Sequence, residues 1–326
     1  MTDNKIKVND RPVRILLTES IHQSGIRLLR ERFTVKFAKS ISQDAIIESG
    51  KDCQGMLVRI ARITGETMKK LPDLKIIARH GVGTDNVDLK AAAERRITVT
   101  NAKGSNTDSV AEHALGLMLA LSKNMLNMDR EVRNGNFGIR YMVTAIEMLG
   151  KTVGIIGFGE IGRALAGKLA AMGLKIIAYD PYIPAEKYEG DIISMKKNLE
   201  EVLKGSDIIS IHVPYNTQTH GLIGRKELDI IKKDALLINV SRGGVVDEEA
   251  LYDALKEKRI RGAGIDVFEK EPTGKDNPLF GLDNVILSPH SGALTEEAMI
   301  RMAMVCSRSI IDYFEGRKPQ NIVNNI

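Results

Sequence analysis

The feature that most constrains the fold of this chain is an alternation of short runs rich in Val and Ile with stretches of helix length. The first part of the chain contains a series of such runs, which we predict to be strands: 13–17, 35–37, 55–58, 75–78 and 98–100. Stretches of helix length, among them 21–32 and 42–50, separate the runs. Strands that alternate with helices are typical of βαβ units, so the sequence predicts a parallel sheet.

A second series of the same kind begins near residue 152. Its predicted strands are 152–156, 175–179, 207–211, 235–239, 262–266 and 285–288. We predict a long helix between the two series, over 106–123, and a final helix over 295–314. Because one sheet that held every strand would be unusually wide, we predict an α/β protein with two doubly wound, Rossmann-like parallel-sheet domains.

The composition is that of an ordinary soluble globular protein and argues against several functional classes. Apolar residues make up 43% and charged residues 27% of the chain, and no stretch approaches the roughly 20 apolar residues of a membrane span. Residues 1–10 lack the apolar core of a secretory signal, and two cysteines, Cys53 and Cys306, predict neither a disulfide framework nor a cysteine metal site. We therefore expect a cytoplasmic protein that binds no metal and no membrane. The formal charge of +5 comes from Lys and Arg residues spread along a chain without Trp, so we expect no nucleic-acid partner.

Residues 157–162 (GFGEIG) match the G-x-G-x-x-G pattern, which is informative only between a strand and a helix. Here the pattern directly follows the predicted strand 152–156 and precedes a helix-like run, 163–172. In that context Gly157 permits a tight turn, Gly159 lets the backbone approach a pyrophosphate, and Gly162 lets helix and strand pack closely. The start of the helix adds unpaired N–H groups that favour an anion. The segment therefore predicts a dinucleotide site.

An acidic residue, Asp180, ends the next predicted strand, 18 residues after Gly162 (180 − 162). A carboxylate at that distance accepts hydrogen bonds from the ribose hydroxyls of the adenosine, and it repels a 2′-phosphate. Pro181 and Tyr182 follow, and neither is an Arg that could reverse the choice. The sequence therefore predicts NAD rather than NADP as the cofactor.

Further motifs occur in order along the chain: RHGVGTDNVD at 79–88, SVAEH at 109–113, HVP at 212–214 with Thr219, NVSRGGVVD at 239–247, DVFEKEP at 266–272 and SPHSG at 288–292. Together with the glycine motif they closely resemble the D-isomer-specific 2-hydroxyacid dehydrogenases, the family that includes 3-phosphoglycerate dehydrogenase. The resemblance covers nearly the whole chain. It implies an NAD-dependent oxidoreductase that moves a hydride between nicotinamide and C2 of a small 2-hydroxy or 2-oxo acid.

The resemblance implies a catalytic set of Arg242, Glu271 and His290. The arginine fork suits the substrate carboxylate, the imidazole titrates near neutrality and can exchange the proton, and a carboxylate beside it would stabilise the imidazolium. Arg242 could instead pair with a surface carboxylate, although it lies between a predicted buried strand and two glycines. Glu271 could be a turn residue before Pro272, with Glu269 as a nearby competitor. Among the other histidines of the chain, we interpret His22, His113 and His220 as structural or solvated.

The family also implies a substrate-binding group of residues. Backbone N–H groups of Gly81, Val82 and Gly83 would bind the substrate carboxylate, and the peptide at Arg59 would lie beside them. This chain departs from many phosphoglycerate-specific relatives, because Ile60 and Ala61 replace a small hydroxylated pair and Arg62 follows. Arg62 either holds a second anionic group of the substrate or points to solvent.

The cofactor contacts implied by the resemblance extend along the whole predicted nucleotide domain. They are Gly157, Gly159, Glu160, Ile161, Gly162, Tyr179, Asp180, His212, Val213, Pro214, Thr219, Val240, Arg242, Asp266, His290 and Gly292. Among these we expect a backbone contact of His212 near the adenosine, and Asp266 near the nicotinamide carboxamide.

The family implies a discontinuous substrate-binding domain, 1–101 and 291–326, around an NAD-binding domain, 102–290, with a cleft between the two. The chain stops after the last predicted helix, so we expect no C-terminal regulatory module. The helix over 106–123 and the segment that contains Phe137, Tyr141 and Met142 resemble the family's dimer contact, so we expect a homodimer through the NAD-binding domain.

The substrate is the least determined property of the chain. We expect 3-phosphoglycerate and 3-phosphohydroxypyruvate, as in serine biosynthesis, ahead of hydroxypyruvate, glyoxylate or lactate. An alternative of another class is an NAD-sensing binding protein like the C-terminal-binding-protein corepressors, which share this fold. Formate dehydrogenase is a third possibility, but it carries Gln where this chain has Glu271, since formate oxidation releases no alcohol proton.

Overall fold

The computed structural model describes residues 5–8, 11–184, 188, 190 and 193–325. The predicted domain limits at residues 1 and 326 fall outside the described residues. By its internal contacts the chain divides into two compact units, Met1–Asn106 with Leu294–Ile326, and Thr107–Ala293. No helix in the described part of the chain is long and apolar enough to cross a membrane.

The strands, in chain order, are β1 (Lys7–Val8), β2 (Arg11–Pro12), β3 (Arg14–Leu17), β4 (Thr34–Phe37), β5 (Gly55–Val58), β6 (Ile76–Arg79), β7 (Thr98–Asn101), β8 (Thr152–Ile156), β9 (Lys175–Tyr179), β10 (Ile193–Met195), β11 (Ile208–Ile211), β12 (Leu236–Asn239), β13 (Gly262–Ile265) and β14 (Val285–Leu287). The α-helices are α1 (Gln23–Arg32), α2 (Gln43–Gly50), α3 (Gly65–Lys69), α4 (Leu89–Glu94), α5 (Thr107–Ser122), α6 (Met125–Arg133), α7 (Glu160–Ala171), α8 (Leu199–Gly205), α9 (Arg225–Ile230), α10 (Glu248–Lys256) and α11 (Glu296–Phe314). Short 3-10 helices occupy Phe137–Tyr141 and Pro278–Gly281.

The first unit contains a five-stranded parallel sheet in the order β4-β3-β5-β6-β7. Numbered from its own first strand, this is the doubly wound order 2-1-3-4-5, whose direction reverses between β3 and β5. Helices α1 and α11 of this unit pack closely on each other, because a Cβ on Gly25 would lie 2.8 Å from the Ala303 Cβ. Glycine and alanine at this crossing therefore allow the two backbones to approach. A two-stranded antiparallel ribbon, β1 with β2, also belongs to this unit.

The second unit contains a seven-stranded parallel sheet in the order β10-β9-β8-β11-β12-β13-β14. Numbered from its first strand, the order is 3-2-1-4-5-6-7, which extends the dinucleotide-binding order by one strand. Its central strands β11 and β12 are buried along their whole length, as expected for a parallel sheet covered on both faces. The long helix α5 lies against β13, where a Cβ on Gly264 would lie 3.0 Å from the Leu117 Cβ. Two buried clusters, one on each face, form the core of this unit.

The predicted fold class is confirmed, since both units are parallel-sheet α/β structures. Three short strands were not predicted: β1, β2 and β10. β1 and β2 have two residues each and β10 has three, too few to show a periodic pattern. The helix predicted to start at residue 163 begins at Glu160 instead, because the last glycine of the motif lies inside its first turn.

Candidate active site

The glycine motif lies at the point where the strand order of the second unit reverses. It follows β8, which has β9 and β10 on one side and β11 to β14 on the other. The carboxyl ends of strands at such a point form the crevice in which open α/β sheets bind ligands. Gly157 has a φ of +90°, and a Cβ there would lie 2.6 Å from the carbonyl oxygen of His212. A Cβ on Gly162 would lie 2.4 Å from the carbonyl oxygen of Gly157, so both positions require glycine.

The start of α7 fits the pyrophosphate of a dinucleotide. The helix begins after Gly159, and no side-chain hydrogen bond caps this end among the described residues. A Cβ built on Gly159 would meet no described atom within 4 Å, so an anion can approach the backbone there. The N–H groups of a first helical turn have no partner within the helix, and the helix dipole favours negative charge beside them. The predicted contacts Glu160 and Ile161 lie in this turn.

Asp180 follows β9 and its carboxylate is directed at the glycine motif. Its Oδ2 accepts a hydrogen bond from the Phe158 N–H (2.9 Å), and its Oδ1 accepts one from the Tyr182 N–H (3.0 Å). These bonds hold a half-buried carboxylate at the edge of the crevice, beside Tyr179. The arrangement suits the predicted ribose contact, and it also makes Asp180 part of the loop structure.

The predicted adenosine segment forms a turn after β11. Burial lowers the pKa of His212 to about 4, so its ring is neutral at pH 7. The ring Nε2 lies 2.8 Å from the Ser210 Oγ. Thr219 donates a hydrogen bond from its Oγ1 to the Pro214 carbonyl oxygen (2.6 Å), which closes the turn that follows Val213. The carbonyl group of His212 thus lies against Gly157, and the imidazole ring of His212 is buried.

Glu271 and His290 form the hydrogen-bonded pair that the resemblance implies. His290 Nδ1 lies 2.8 Å from Glu271 Oε2, and the other carboxylate oxygen accepts the Phe268 N–H (3.0 Å). Burial raises the pKa of Glu271, but the hydrogen bond and charge of His290, the Phe268 N–H and the charge of Arg242 outweigh that effect and lower it below its usual value. Glu271 is therefore an anion that fixes one ring nitrogen of His290.

Arg242 reaches the neighbourhood of this pair because two loops pack directly on each other. A Cβ on Gly243 would lie 1.7 Å from the Phe268 carbonyl oxygen, so the loop after β12 touches the loop after β13. The Asn239 side chain supports the first loop by donating a hydrogen bond to the Arg242 carbonyl oxygen (3.1 Å). Val240, between these two residues, is buried. The guanidinium is close enough to Glu271 to lower the pKa of that carboxyl.

The competing carboxylate, Glu269, has a different partner. Its Oε1 accepts the Glu248 N–H at the start of α10 (3.1 Å), and its own N–H donates to Glu248 Oε1 (2.5 Å). Glu269 thus joins its loop to a helix terminus, whereas Glu271 contacts the histidine. A pocket of about 410 Å³ adjoins the Glu271–His290 pair, with walls that are mainly apolar, formed by Phe268, Pro272, Phe280, Leu287 and Pro289. The pair lies at the rim of this pocket and both side chains remain partly exposed.

Asp266 is nearly fully buried and holds the segment that carries His290. Its carboxylate accepts hydrogen bonds from the Ser288 Oγ (2.6 Å), the Ser291 N–H (2.8 Å) and the Gly292 N–H (2.9 Å). His113 on α5 lies in the same group, with Nε2 2.9 Å from the Ser288 Oγ. Nothing in the sequence pattern indicated that His113 and Ser288 meet, because 175 positions separate them.

In the first unit, three carbonyl groups of the predicted carboxylate-binding loop accept hydrogen bonds from neighbouring residues. The carbonyl oxygen of His80 accepts from Arg79 Nη1 (3.0 Å), that of Gly81 from the Ala102 N–H (2.9 Å), and that of Val82 from Asn101 Nδ2 (2.6 Å). Within the described part of the chain, the N–H groups of Val82 and Gly83 have no such acceptor. The Gly81 N–H donates to the Arg79 carbonyl oxygen (3.0 Å), so of the three predicted groups only the N–H groups of Val82 and Gly83 are left for an anion.

The loop at Arg59 and Arg62 is organised by a residue that the sequence analysis missed. Glu19, just after β3, accepts hydrogen bonds from three successive N–H groups, those of Arg59 (3.0 Å), Ile60 (2.7 Å) and Ala61 (2.7 Å). The Arg62 side chain is exposed, and its carbonyl oxygen accepts a hydrogen bond from the Gln43 side chain. Burial and then the charges of Arg59 and Arg79 lower the pKa of His80 to about 4, so Arg59 lies near the Gly81 loop. The signal that could have identified Glu19 is an acidic residue at the carboxyl end of a strand beside the switch point.

The chain is similar in sequence to proteins of one dehydrogenase family. Residues 115–292 match the model of the NAD-binding domain of the D-isomer specific 2-hydroxyacid dehydrogenases. The chain is 41% identical over 313 residues to the D-3-phosphoglycerate dehydrogenase of Methanocaldococcus jannaschii, covering 96% of this chain and 59% of that protein. It is 38% identical over 318 residues to the glyoxylate reductase of Korarchaeum cryptofilum, covering 95% of this chain and 96% of that protein. The phosphoglycerate relative is thus considerably longer than this chain.

The fold comparison agrees. The structure of an NADPH-dependent glyoxylate/hydroxypyruvate reductase from Sinorhizobium meliloti, in complex with citrate, superposes with a TM-score of 0.86 at 29% identity and covers 95% of this chain and 97% of that one. Glycine motif, ordered motifs, fold and relatives agree, and NAD is the cofactor of the matched domain. The chain belongs to the D-isomer-specific 2-hydroxyacid dehydrogenase family.

Proposed function

We propose that this protein is an NAD-dependent dehydrogenase that interconverts a small D-2-hydroxy acid and its 2-oxo acid. The observation that carries the proposal is the 2.8 Å contact between His290 Nδ1 and Glu271, with Arg242 beside the same carboxylate. A carboxylate–imidazole pair next to a guanidinium is suited to exchanging a proton with an alcohol whose neighbouring carboxylate is held. Formate dehydrogenases carry Gln at the position of Glu271, so Glu271 argues against formate as the substrate.

The roles of the chain's own groups follow from this chemistry. NAD, bound between the start of α7 and Asp180, would supply or accept the hydride. In the reducing direction, protonated His290 gives its proton to the oxygen that develops negative charge at C2. Glu271 stabilises the imidazolium and fixes its ring, and Arg242 binds the substrate carboxylate through its planar fork. In the oxidising direction His290 is the base.

For the substrate, we propose 3-phosphoglycerate and 3-phosphohydroxypyruvate, which would connect the protein with serine biosynthesis. Two arginines, Arg59 and Arg62, flank the loop held by Glu19, and an exposed guanidinium suits a distal phosphate. Glyoxylate or hydroxypyruvate is the second candidate, because a phosphoglycerate dehydrogenase and a glyoxylate reductase resemble the chain to a similar degree, 41% and 38%. We also propose a cytoplasmic location and the discontinuous domain division at about residues 101 and 291, which is close to the limits of the two compact units.

A panel of 2-oxo acids tests both levels of this proposal. The purified protein is mixed with NADH and 3-phosphohydroxypyruvate, hydroxypyruvate, glyoxylate or pyruvate, and the absorbance of NADH is followed. We expect turnover of at least one acid, and loss of turnover but not of NADH binding in His290→Ala. NADH binding without turnover of any acid would favour the corepressor-like alternative.

The Arg62→Ala variant in the same panel tests the phosphorylated substrate. If Arg62 binds the distal anion, its removal raises KM for 3-phosphohydroxypyruvate by about tenfold or more, the equivalent of about 1.4 kcal/mol, and leaves KM for glyoxylate nearly unchanged. Lys103→Ala, which removes another cation of the same unit, serves as the matched control. Equal effects on both acids would make Arg62 a solvated surface residue and leave glyoxylate as the better candidate.

A further inference from the structure

The backbone that carries His290 is bound at three successive positions by one residue. The N–H of His290 donates to the Asp266 carbonyl oxygen (2.7 Å), and the next two N–H groups, of Ser291 and Gly292, donate to the two oxygens of the Asp266 carboxylate. His290 itself has a φ of +51°, in the left-handed region that residues other than glycine seldom adopt. Such a conformation persists only where surrounding contacts determine it, and Asp266 supplies those contacts.

The position of the Asp266 carboxylate is in turn determined by two side chains. The Ser288 hydroxyl donates to Asp266 Oδ1 (2.6 Å), so its oxygen is left as an acceptor, and His113 Nε2 lies 2.9 Å from that oxygen. His113 therefore carries its hydrogen on Nε2. The same nitrogen lies 3.3 Å from Asp266 Oδ1. Gly292 closes the group, because a Cβ there would lie 3.1 Å from Asp266 Oδ2 and 3.6 Å from the His113 ring.

We propose that His113 and Ser288 are positioning residues that act through Asp266 to hold His290 against Glu271. The inference rests on the proposed function, since His290 matters as the acid and base of that reaction. It assigns a role to a histidine on α5 that is not expected to touch substrate or cofactor. α5 thus contributes to the site by orienting the loop after β14.

The electrostatics of the group support this role. Although burial raises the pKa of Asp266, the hydrogen bonds from His113, Ser288, Ser291 and Gly292 lower it to about 2. The carboxylate is thus an anion at every working pH and retains its contacts throughout the titration of His290. Within the described residues of the second unit, the charged groups around His290 are Glu271 at its Nδ1, Arg242 beyond Glu271, and Asp266, which binds its backbone, and the pocket wall beside it is mainly apolar.

Two variants weaken the group from different sides, and one conservative variant should restore it. Ser288→Ala removes the hydroxyl, and His113→Phe keeps a ring but removes the donor. His113→Gln places an amide N–H near the position of Nε2 and should rescue the loss. Glu112→Gln is the matched control, because Glu112 lies next to His113 on α5 but pairs with Lys168 (3.3 Å). If Ser288→Ala does not fold, the His113 pair suffices.

The decisive readout is the titration of the His290 ring, followed by NMR in protein with ¹³Cε1-labelled histidine and assigned by the signal that His290→Asn loses. A ring that separates from Glu271 loses its counter-charge, so its titration midpoint should fall by about 0.5 pH unit or more in Ser288→Ala and His113→Phe. It should stay near the parent value in His113→Gln and Glu112→Gln. In the same weakened variants, kcat should fall about tenfold with KM nearly unchanged, as for a misplaced catalytic group.

A midpoint that does not move in either weakened variant, even if the melting temperature falls, would overturn the positioning role and leave His113 structural. The titration does not require turnover. If the parent protein reduces no 2-oxo acid but the midpoints shift as expected, the proposed function fails and the positioning of His290 stands.

Discussion

At the scale of single residues, the site depends on carboxylates that remain charged because they are hydrogen-bonded. Burial by itself would raise the pKa of Glu271 and of Asp266. In both carboxyls the hydrogen bonds from neighbouring groups outweigh burial, so the pKa is lowered. A carboxyl whose pKa is lowered on folding stabilises the folded protein above its unfolded pKa, and that stabilisation is lost as the pH falls through the folded value. Near neutral pH both groups therefore act as fixed negative charges.

The Glu271→Gln variant should change the pH dependence of catalysis. The amide can still orient the His290 ring but no longer offers a counter-charge, so the imidazolium loses its proton at lower pH. Because reduction of a 2-oxo acid requires protonated His290, the rate should fall to half at a lower pH than in the parent protein. Steady-state rates between about pH 5 and 9 measure this shift. Glu269→Gln, whose carboxylate faces α10 instead, should keep the parent profile, and an unchanged profile in Glu271→Gln would refute the pairing.

Asp180 has a structural role in its loop, and we predict that it also selects the cofactor. Its two oxygens accept N–H groups from Phe158 and Tyr182, so the carboxylate is presented at the glycine loop with limited freedom. A fixed anion at this point favours ribose hydroxyls and disfavours a 2′-phosphate.

Replacing Asp180 with Ser and Pro181 with Arg should therefore shift cofactor preference. We expect the ratio of kcat/KM for NADPH to that for NADH to rise by at least about tenfold, roughly 1.4 kcal/mol. Asp180→Asn, which keeps an acceptor for the loop, separates the effect of charge from that of loop geometry. A double variant that still ignores NADPH and binds NADH at full affinity would contradict the ribose contact.

At the scale of elements, the predicted dimer segment is exposed and apolar. Phe137, Tyr141 and Met142 are 65%, 83% and 82% exposed, and α6 beside them has no buried residue. Apolar side chains gathered on one protruding segment are typical of a protein interface rather than of a solvated surface. We propose that this segment contacts a second copy of the chain.

The double variant Tyr141→Lys with Met142→Glu should weaken that contact. Placing charges in an apolar interface leaves them desolvated, so we expect the apparent mass in light scattering to fall from about twice 35.9 kDa to about 35.9 kDa. Phe37→Lys, at an exposed apolar position on β4, should leave the mass unchanged. A parent protein that is already monomeric, or a variant that stays dimeric, would show that the segment is not the interface.

At the scale of the whole molecule, the site residues are distributed by sheet topology. The loops after β8, β9, β11, β12, β13 and β14 carry the predicted cofactor and catalytic residues of the second unit, because the carboxyl ends of parallel strands lie along one edge. The first unit repeats this arrangement with the loops after β3, β5 and β6. Both units are doubly wound. In the second unit the predicted nucleotide contacts adjoin the strand pair where the winding reverses, and the predicted catalytic residues follow strands further along the same edge.

Much of this could be predicted from the sequence alone. The alternation of Val/Ile runs with helical stretches predicted both parallel sheets, because strands covered on both faces of a parallel sheet are mostly apolar. The glycine motif and Asp180 predicted the position of the nucleotide site, since each position has a steric or electrostatic requirement that few residue types meet. Arg242, Glu271 and His290 came from ordered motifs, and the roles of these three residues remain a proposal that the pair distance supports.

Only the tertiary structure decided which distant residues meet. Glu19 lies about 40 positions before the three N–H groups it binds, and His113 lies 175 positions before Ser288. The tertiary structure also showed which of the two nearby carboxylates contacts His290. The loop after β13 directs Glu269 toward the start of α10 and Glu271 toward His290. Local sequence determines elements through periodicity and sterics. Hydrogen bonds between loops depend on how whole sheets and helices pack, so a local pattern can indicate a candidate residue such as Glu19 but not the partner that it binds.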